Sequence, residues 1–480
     1  MAVIAAFVVN AVLNFALGLL IAQLLGPSDF GRFALGTAGA VVLNTLLFEW
    51  LRLSATRFYS ARVREEEPWI RLMLGRAYAF VALGLAGAAL LCLSGAGLLA
   101  PDAGDQVRLA AAAAATAVGI GLFDYHAALA RARFVGGAYL RLVLAKNAIA
   151  LVLMSGTAWL VPQPAWVMVA GGLSQLLAVL AVRRVLADAP AAAGRRRRAE
   201  TLRLFLAYGL PLIAANVLYQ LMPFANRAAI AAAADFAVSG YFSLAADMGA
   251  RVFSTLGAAL DLLLFQIAVQ AEELHGRAAA EDQVGRNLAV VATVLLPCAA
   301  GFWVVAPAIE AIVVPAAFRG HFAQYTLLLL PGLLALALMN FALNPIFQIR
   351  RRTLPVIAAA LIGAGANALG ILVLTRPLGA PGIAAAQSVG FVAALSFLAL
   401  RALTGRERLR LPLRDLAAAT AAAAVMTAAL LPLRGLAPWL ALPACVAGGG
   451  LIYGALVWRF DIAGLRGVVE ARLRRALPAR

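Results

Sequence analysis

The sequence predicts an all-α polytopic membrane protein of about fourteen transmembrane helices. Three observations carry this. The chain of 480 residues is 64% hydrophobic and 13% charged, with mean hydropathy +0.91, where a soluble domain carries roughly 25% charged residues. A chain this apolar cannot cover its own surface with polar groups, so lipid must solvate it. Apolar runs of about 20 residues, cut by polar or Pro/Gly segments, recur from end to end. Finally, the arginines fall between these runs and favour alternate loops.

The runs place spans near 2–25, 33–58, 74–100, 107–130, 139–161 and 164–186, then near 205–234, 238–270, 287–313, 325–349, 354–375 and 381–403. Two more lie near 414–433 and 438–458. Each is expected to be helical, because a helix satisfies its own backbone hydrogen bonds in lipid. The first run, Ala2 to Leu25, lacks a basic leader and is long for a signal-peptide core, so it reads as a retained helix. One set of alternate loops holds Arg62, Arg64, Arg131, Arg133, Arg183, Arg184 and the run Arg195 to Arg198. The same set continues with Arg277, Arg286, Arg350 to Arg352 and the basic tail after Arg459. The opposite loops hold Arg32, Arg108, Arg319, Arg376 and Arg434. The positive-inside rule then predicts both termini in the cytoplasm, in a bacterial cytoplasmic (inner) membrane. Asp188 to Arg203 reads as a flexible cytoplasmic linker between halves. Its four arginines read as a topology anchor, with anionic lipid contact as a second use. The expected domains are 1–200 (six helices), 201–404 (six helices) and 405–480 (two helices and the tail).

Two segments repeat. LLGPSDFGRFAL at 24–35 and AADFAVSGYFSL at 233–244 align without gaps, pairing Gly31 with Gly240, Phe33 with Phe242 and Leu35 with Leu244. Each ends the first span of a half and opens the second. The expectation is a short outer-face turn, with Gly allowing the reversal and Asp or Ser capping the next helix. Six spans per half make this a parallel repeat, two six-helix lobes in one orientation.

The motif built on Gly26, Pro27, Phe30 and Gly31, with its echo at Gly240, resembles that of the polysaccharide biosynthesis membrane proteins. These are the O-antigen flippase-like group of the multidrug/oligosaccharidyl-lipid/polysaccharide exporter superfamily. The motif covers about a dozen residues and the architecture the whole chain. The resemblance implies a flippase moving undecaprenyl-diphosphate-linked oligosaccharides between leaflets by alternating access, for surface polysaccharide (lipopolysaccharide) biosynthesis. It implies the lipid-linked oligosaccharide and membrane lipids as partners, with a polysaccharide polymerase and chain-length proteins alongside. It does not specify the glycan.

Ionisable groups inside spans cost about 2.5–3.5 kcal/mol on insertion scales and usually face a cavity or a partner. Asp247 and Arg251 stand at i and i+4 on one face, with Arg251 about 16 Å in from Gly240 at 1.5 Å per residue. They read either as a cavity cation for a diphosphate with its resting counter-ion, or as a structural ion pair. Glu49 and Arg52 form a second pair toward the cytoplasmic end. Asp261 occupies the position of the second half that matches Arg52 and is a candidate gate. Lys146, the one lysine of the chain, is a second candidate cavity cation. Asn10 with Asn14, Asn216 with Gln220, and Asn340 with Asn344 and Gln348 are amide stripes. They would serve a sugar path or hold helices together. Pro223, Pro297 and Pro345 are candidate bends. Arg227 and Glu310 read as rim residues, and His126 as structural.

No enzyme chemistry emerges. Cys92, Cys298 and Cys445 are isolated, with neither metal spacing nor a disulfide framework, and there is no Walker loop or hydrolase elbow. No metal or cofactor is expected, and without an ATP site the drive would be substrate supply or a coupling ion, H+ or Na+. No basic soluble domain with interleaved aromatics exists for nucleic acid. The alternatives are a drug/cation antiporter, which needs buried carboxylates more than cations, and a lipid II flippase. That group is expected to carry several arginines in its first and second spans, and here the first span has none.

Overall fold

In a computed structural model, residues 2–59, 66–67, 69–99, 104–187, 195–349, 354–404 and 412–467 are described, and all regular structure among them is helical. In chain order the helices are α1 (Ala2–Leu47), α2 (Glu49–Phe58), α3 (Trp69–Leu99), α4 (Gly104–Ala132), α5 (Gly136–Leu160), α6 (Pro164–Leu180) and α7 (Arg195–Ala233). Next come α8 (Phe236–His275), α9 (Arg277–Ile312), α10 (Phe322–Leu338), α11 (Asn344–Ile349), α12 (Leu354–Leu378), α13 (Ala380–Leu403), α14 (Leu413–Leu430) and α15 (Pro438–Phe460). Eleven stretches among the described residues are long and apolar enough to cross a membrane; Pro164–Leu180 is apolar but shorter. The chain is an all-helical multi-pass membrane protein.

Two boundaries differ from the sequence reading. The first turn is tighter than expected, because α1 runs from Ala2 to Leu47 with one non-helical residue, Gly26 (φ 71°, ψ 175°). Only glycine takes this conformation without a steric cost, and Pro27 then opens the next helix with its preset φ. The second span therefore starts at Pro27, not near residue 33. A straight helix would put Asn14 and Glu49 about 52 Å apart at 1.5 Å per residue. Yet Lys146 bonds Asn14, and Asp124 lies within electrostatic reach of both Lys146 and Glu49. Gly26 thus folds the chain back on itself. The second correction concerns the linker. Arg195 to Arg203 are helical, the opening turns of α7, because arginine is a good helix former; residues 188–194 lie outside the described residues.

Backbone contacts group the chain into two compact units, Met1–Ser243 and Leu244–Arg480. In the first, Phe48, Leu51, Tyr59, Leu74, Leu129 and Phe205 form the centre of a buried cluster drawn from α2, α3, α4 and α7. In the second, α9, α14 and α15 bury Val304, Met426, Leu430 and Cys445 together, and Tyr453 donates its hydroxyl proton to Thr293 O at 2.8 Å. The outward faces stay apolar: Leu83, Leu90 and Leu91 of α3 and Leu372 of α12 are exposed, as lipid contact requires.

Prolines interrupt several helices: Pro211 and Pro223 in α7, Pro297 and Pro307 in α9, Pro331 in α10. Between α10 and α11 one turn, Met339–Leu343, widens to π geometry. Pro345 follows at once. Its missing N–H and bulky ring disturb the preceding turn, and the wider turn absorbs the misfit.

Candidate functional site

In the first unit, four polar side chains of α1 and α5 form one constellation. Asn10 and Asn14 sit one turn apart on α1. Asn14 Nδ2 donates to Asn10 O (2.6 Å), Asn10 Oδ1 (2.7 Å) and Asn147 Oδ1 (3.1 Å). Lys146 on α5 donates from Nζ to Asn10 Oδ1 at 3.4 Å and Asn14 Oδ1 at 3.5 Å. Asn147, buried, donates to Asn10 Oδ1 at 3.2 Å. The Lys146 ammonium also stands 5.5 Å from the centre of the Phe123 ring, cation–π range.

A second group adjoins it. The Glu49 side chain is 8% exposed, pairs with Arg52 one turn on, and accepts a hydrogen bond from Asn216 Nδ2 of α7 at 3.0 Å. Asp124 of α4 joins the two groups, lying within electrostatic reach of Arg52, Glu49, Lys146 and Arg131. Four candidates read from the sequence, Glu49, Arg52, Lys146 and Asn216, thus belong to one region. Gln220, one turn beyond Asn216, is exposed. Sequence reasoning missed the joining role of Asp124; its signal was a carboxylate within an apolar run. His126 bonds through Nδ1 to Leu122 O at 2.9 Å, a link within its own helix.

In the second unit Asp247 and Arg251 are half-buried on α8, with the Asp247 charge acting on Arg251. Arg251 O accepts a hydrogen bond from Ser254 Oγ at 3.3 Å. Asn340 stands in the π turn and Asn344 just after it. Asn344 Nδ2 donates to Asn340 Oδ1 at 3.2 Å, while Asn344 Oδ1 is buried without a partner among the described residues. Gly257 of α8 lets Phe341 of the π turn approach; a Cβ there would stand 2.0 Å from the ring. The side chains of Asp261 and Gln348 lie outside the described residues.

The repeat motif supplies a helix crossing. A Cβ at Gly31 would stand 1.9 Å from Phe236 O, and one at Gly240 would stand 2.2 Å from Pro27 O. The two glycines pack backbone to backbone, as small residues do where membrane helices cross closely. Phe30 is buried beside them. The turn itself belongs to Gly26 and, in the aligned position, to Asp235, whose Oδ1 accepts from Val238 N at 2.8 Å to cap α8. Arg32 pairs with Asp29 at 2.7 Å and lies over the Phe236 ring at 4.8 Å.

Two presumed rim residues are built in. Arg227 is 6% exposed and donates from Nε to Ser243 Oγ at 3.0 Å, while its carbonyl accepts from Ser239 Oγ at 3.1 Å. The hydroxyls of α8 give it partners inside the protein, so it need not reach the membrane surface. Glu310 accepts from the backbone N–H groups of Gly320 (2.7 Å) and Phe322 (3.0 Å), placing a carboxylate at the N-terminus of α10.

No protein-family model matches the sequence, and no curated protein matches it. Solved structures do. The inward closed conformation of lipid II flippase MurJ is 12% identical with TM-score 0.68, covering 95% of this chain and 98% of that one. An inward-facing multidrug resistance MATE family transporter of the MOP superfamily is 15% identical with TM-score 0.58, covering 81% and 92%. A MATE structure in the straight conformation is 15% identical with TM-score 0.52, covering 82% and 92%. At such identities the likeness is one of fold. The chain shares the all-helical fold of the MurJ and MATE structures.

Proposed function

We propose that this protein is a secondary transporter that flips a lipid-linked oligosaccharide, carried on undecaprenyl diphosphate, across the cytoplasmic membrane by alternating access. The observation that carries the reading is the polar constellation of the first unit with the group that adjoins it. Together they combine cations, Lys146 and Arg52, with the amides Asn10, Asn14, Asn147 and Asn216. A diphosphate needs fixed positive charge to enter a low-dielectric interior. Sugar hydroxyls need partners that both donate and accept, and carboxamides do both. The lipid tail needs neither and stays in the bilayer. Arg251, Asn340 and Asn344 offer the same chemistry in the second unit, with Asp247 as the resting counter-ion of Arg251. A polymerase and chain-length proteins would receive the product.

A second reading has its own support. Glu49 and Asp124 put carboxylates in the same region, as a drug/cation antiporter requires.

The test is a leaflet-specific assay for lipid-linked glycan in a deletion strain carrying single variants. Lys146→Ala and Arg251→Ala should each lower export roughly tenfold or more at normal membrane levels. Lys146→Arg and Arg251→Lys should keep part of it, since charge survives while geometry changes. Asp247→Asn separates a cavity role from a structural one: flux alone falls in the first case, folded protein in the second. Full export by both alanine variants would reject the reading. Drug resistance conferred without any glycan defect would support the antiporter, and rescue of cells depleted of their lipid II flippase would reassign the glycan.

A further inference from the structure

A groove of about 400 Å³ lies in the first unit, and none of the polar residues of the constellation lines it. Two helix faces and the start of α2 make it. On α3, Trp69, Met73, Arg76, Ala77 and Phe80 recur at three- and four-residue spacing; on α7, Arg198, Leu202 and Leu206 recur at four. Such spacing puts each set on one side of its helix. The volume falls within the range of about 300–1,000 Å³ typical of small-molecule sites. The lining is almost wholly apolar, and its charged members are Arg76 and Arg198.

The charges are sorted. Arg197, next in sequence to Arg198, pairs with Glu67 and lies over the Trp69 ring at 5.6 Å. Among the described residues neither Arg76 nor Arg198 has an acidic partner. Trp50 and Trp69 both wall the groove and both are buried. Trp50 donates its indole proton to Leu47 O at 3.0 Å, whereas the buried Trp69 Nε1 has no hydrogen-bond partner among the described residues. Buried indole N–H groups usually find one. Phe80, 79% exposed, opens the other end toward the surrounding apolar medium.

We infer that this groove binds an anionic glycerophospholipid of the cytoplasmic leaflet. Its phosphate lies between Arg76 and Arg198, and an acyl chain runs along Met73, Ala77 and Phe80. Two arginines without an acidic partner among the described residues, set in an otherwise apolar trough, match a lipid with one negative phosphate and long tails. A free anion would have no use for the apolar walls. A neutral zwitterionic lipid would bring its own ammonium against the two guanidinium groups. The side of the membrane follows from the arginine alternation, and that leaflet carries the anionic lipids. The inference rests on that orientation and is independent of what the protein transports.

The experiment uses the full-length protein purified in detergent, with phosphatidylglycerol and phosphatidylcholine of identical chains as probes. Retained lipid is read by native mass spectrometry and stabilisation by thermal melting. Phosphatidylglycerol should be retained in preference and should raise the melting temperature. Arg76→Gln with Arg198→Gln should reduce its retention roughly tenfold, the loss of about 1.4 kcal/mol of binding. Ala77→Trp, which fills the groove and keeps both charges, should do the same. Arg401→Gln, an exposed arginine of α13, should change nothing. Wild-type retention in the double variant or in Ala77→Trp would overturn the site. So would equal loss in Arg401→Gln, displacement by inorganic phosphate, or displacement by equimolar undecaprenyl diphosphate. Should the double variant fail to fold, a photoactivatable phosphatidylglycerol on the wild-type protein decides. Adducts on the peptides of α3 and α7 support the groove, and adducts elsewhere reject it.

Discussion

Gly31 and Gly240 let two helix backbones of the first unit approach closely, and the sequence marks both through one aligned segment. What the segment does at that place was not legible. The sequence suggests a turn, whereas the turn residues are Gly26 and Asp235 and the paired glycines lie inside helices. Alignment finds which residues correspond, but not which backbone atoms they meet. Gly31→Ala should therefore destabilise the protein by about 1–3 kcal/mol, the usual cost of overpacking, because the carbonyl at 1.9 Å belongs to a backbone that cannot rotate away. Gly84→Ala has open space around it and should be neutral. Size-exclusion profiles after a thermal challenge would compare them, and equal melting of the two variants would count against the crossing. The polar residues teach the same lesson. Asn10 with Asn14, and Glu49 with Arg52, can be read from spacing alone, since residues three or four apart on a helix meet in any fold. That Asn14 also reaches Asn147, and Glu49 reaches Asn216, depends on which helices are neighbours, and no local spacing carries that.

At the scale of the element, α9 shows how a membrane helix survives a proline. Pro307 has no N–H for the carbonyl of Trp303, and its ring strains the turn. Arg434, from the turn between α14 and α15, donates from Nη2 to Trp303 O at 2.8 Å and from Nε to Val304 O at 3.0 Å. Its guanidinium lies 4.5 Å from the centre of the Trp303 ring. An arginine that reads as a minor loop charge is the donor set that α9 lacks. Arg434→Ala should cost about 0.5–1.5 kcal/mol, the net worth of an ordinary hydrogen bond, since Arg434 is exposed. In a Pro307→Ala background the cost should shrink, because the helix then supplies its own N–H to Trp303. A double-variant cycle of thermal stabilities would measure the coupling, and strict additivity would exclude it. The helices themselves were legible throughout, since runs of about 20 apolar residues admit one backbone solution in lipid. Their ends were not, because α7, α8 and α9 continue past their apolar runs as ordinary soluble helix.

At the scale of the whole molecule, composition and arginine placement carry most of the information. They define a multi-pass helical membrane chain, and the MurJ and MATE structures share its fold at 12–15% identity. The two compact units divide at Ser243, within the opening turns of α8. The repeat reading sets its halves at 1–200 and 201–404. Compactness follows contacts and a repeat follows ancestry, so the two divisions measure different properties. Here α7 packs with the first unit, where Gly209 meets Trp50 and Gly39 meets Phe224. Orientation rests on the arginines alone. A cysteine introduced at Ala193 should resist a membrane-impermeant maleimide added to intact cells and react after permeabilisation. Labelling from outside would invert the topology.

The reversal at Gly26 leaves the first hairpin without slack. One extended residue spans at most about 3.6 Å, less than the 5.4 Å rise of a single helical turn. The two arms of α1 can swing about that joint but cannot slide past each other by a turn. With Gly31 locked against Gly240 five residues further on, the swing has a fixed fulcrum at this end of the bundle. Movement here has to be angular, with its amplitude growing toward the far end of each arm, where Asn10, Asn14, Glu49 and Arg52 are carried.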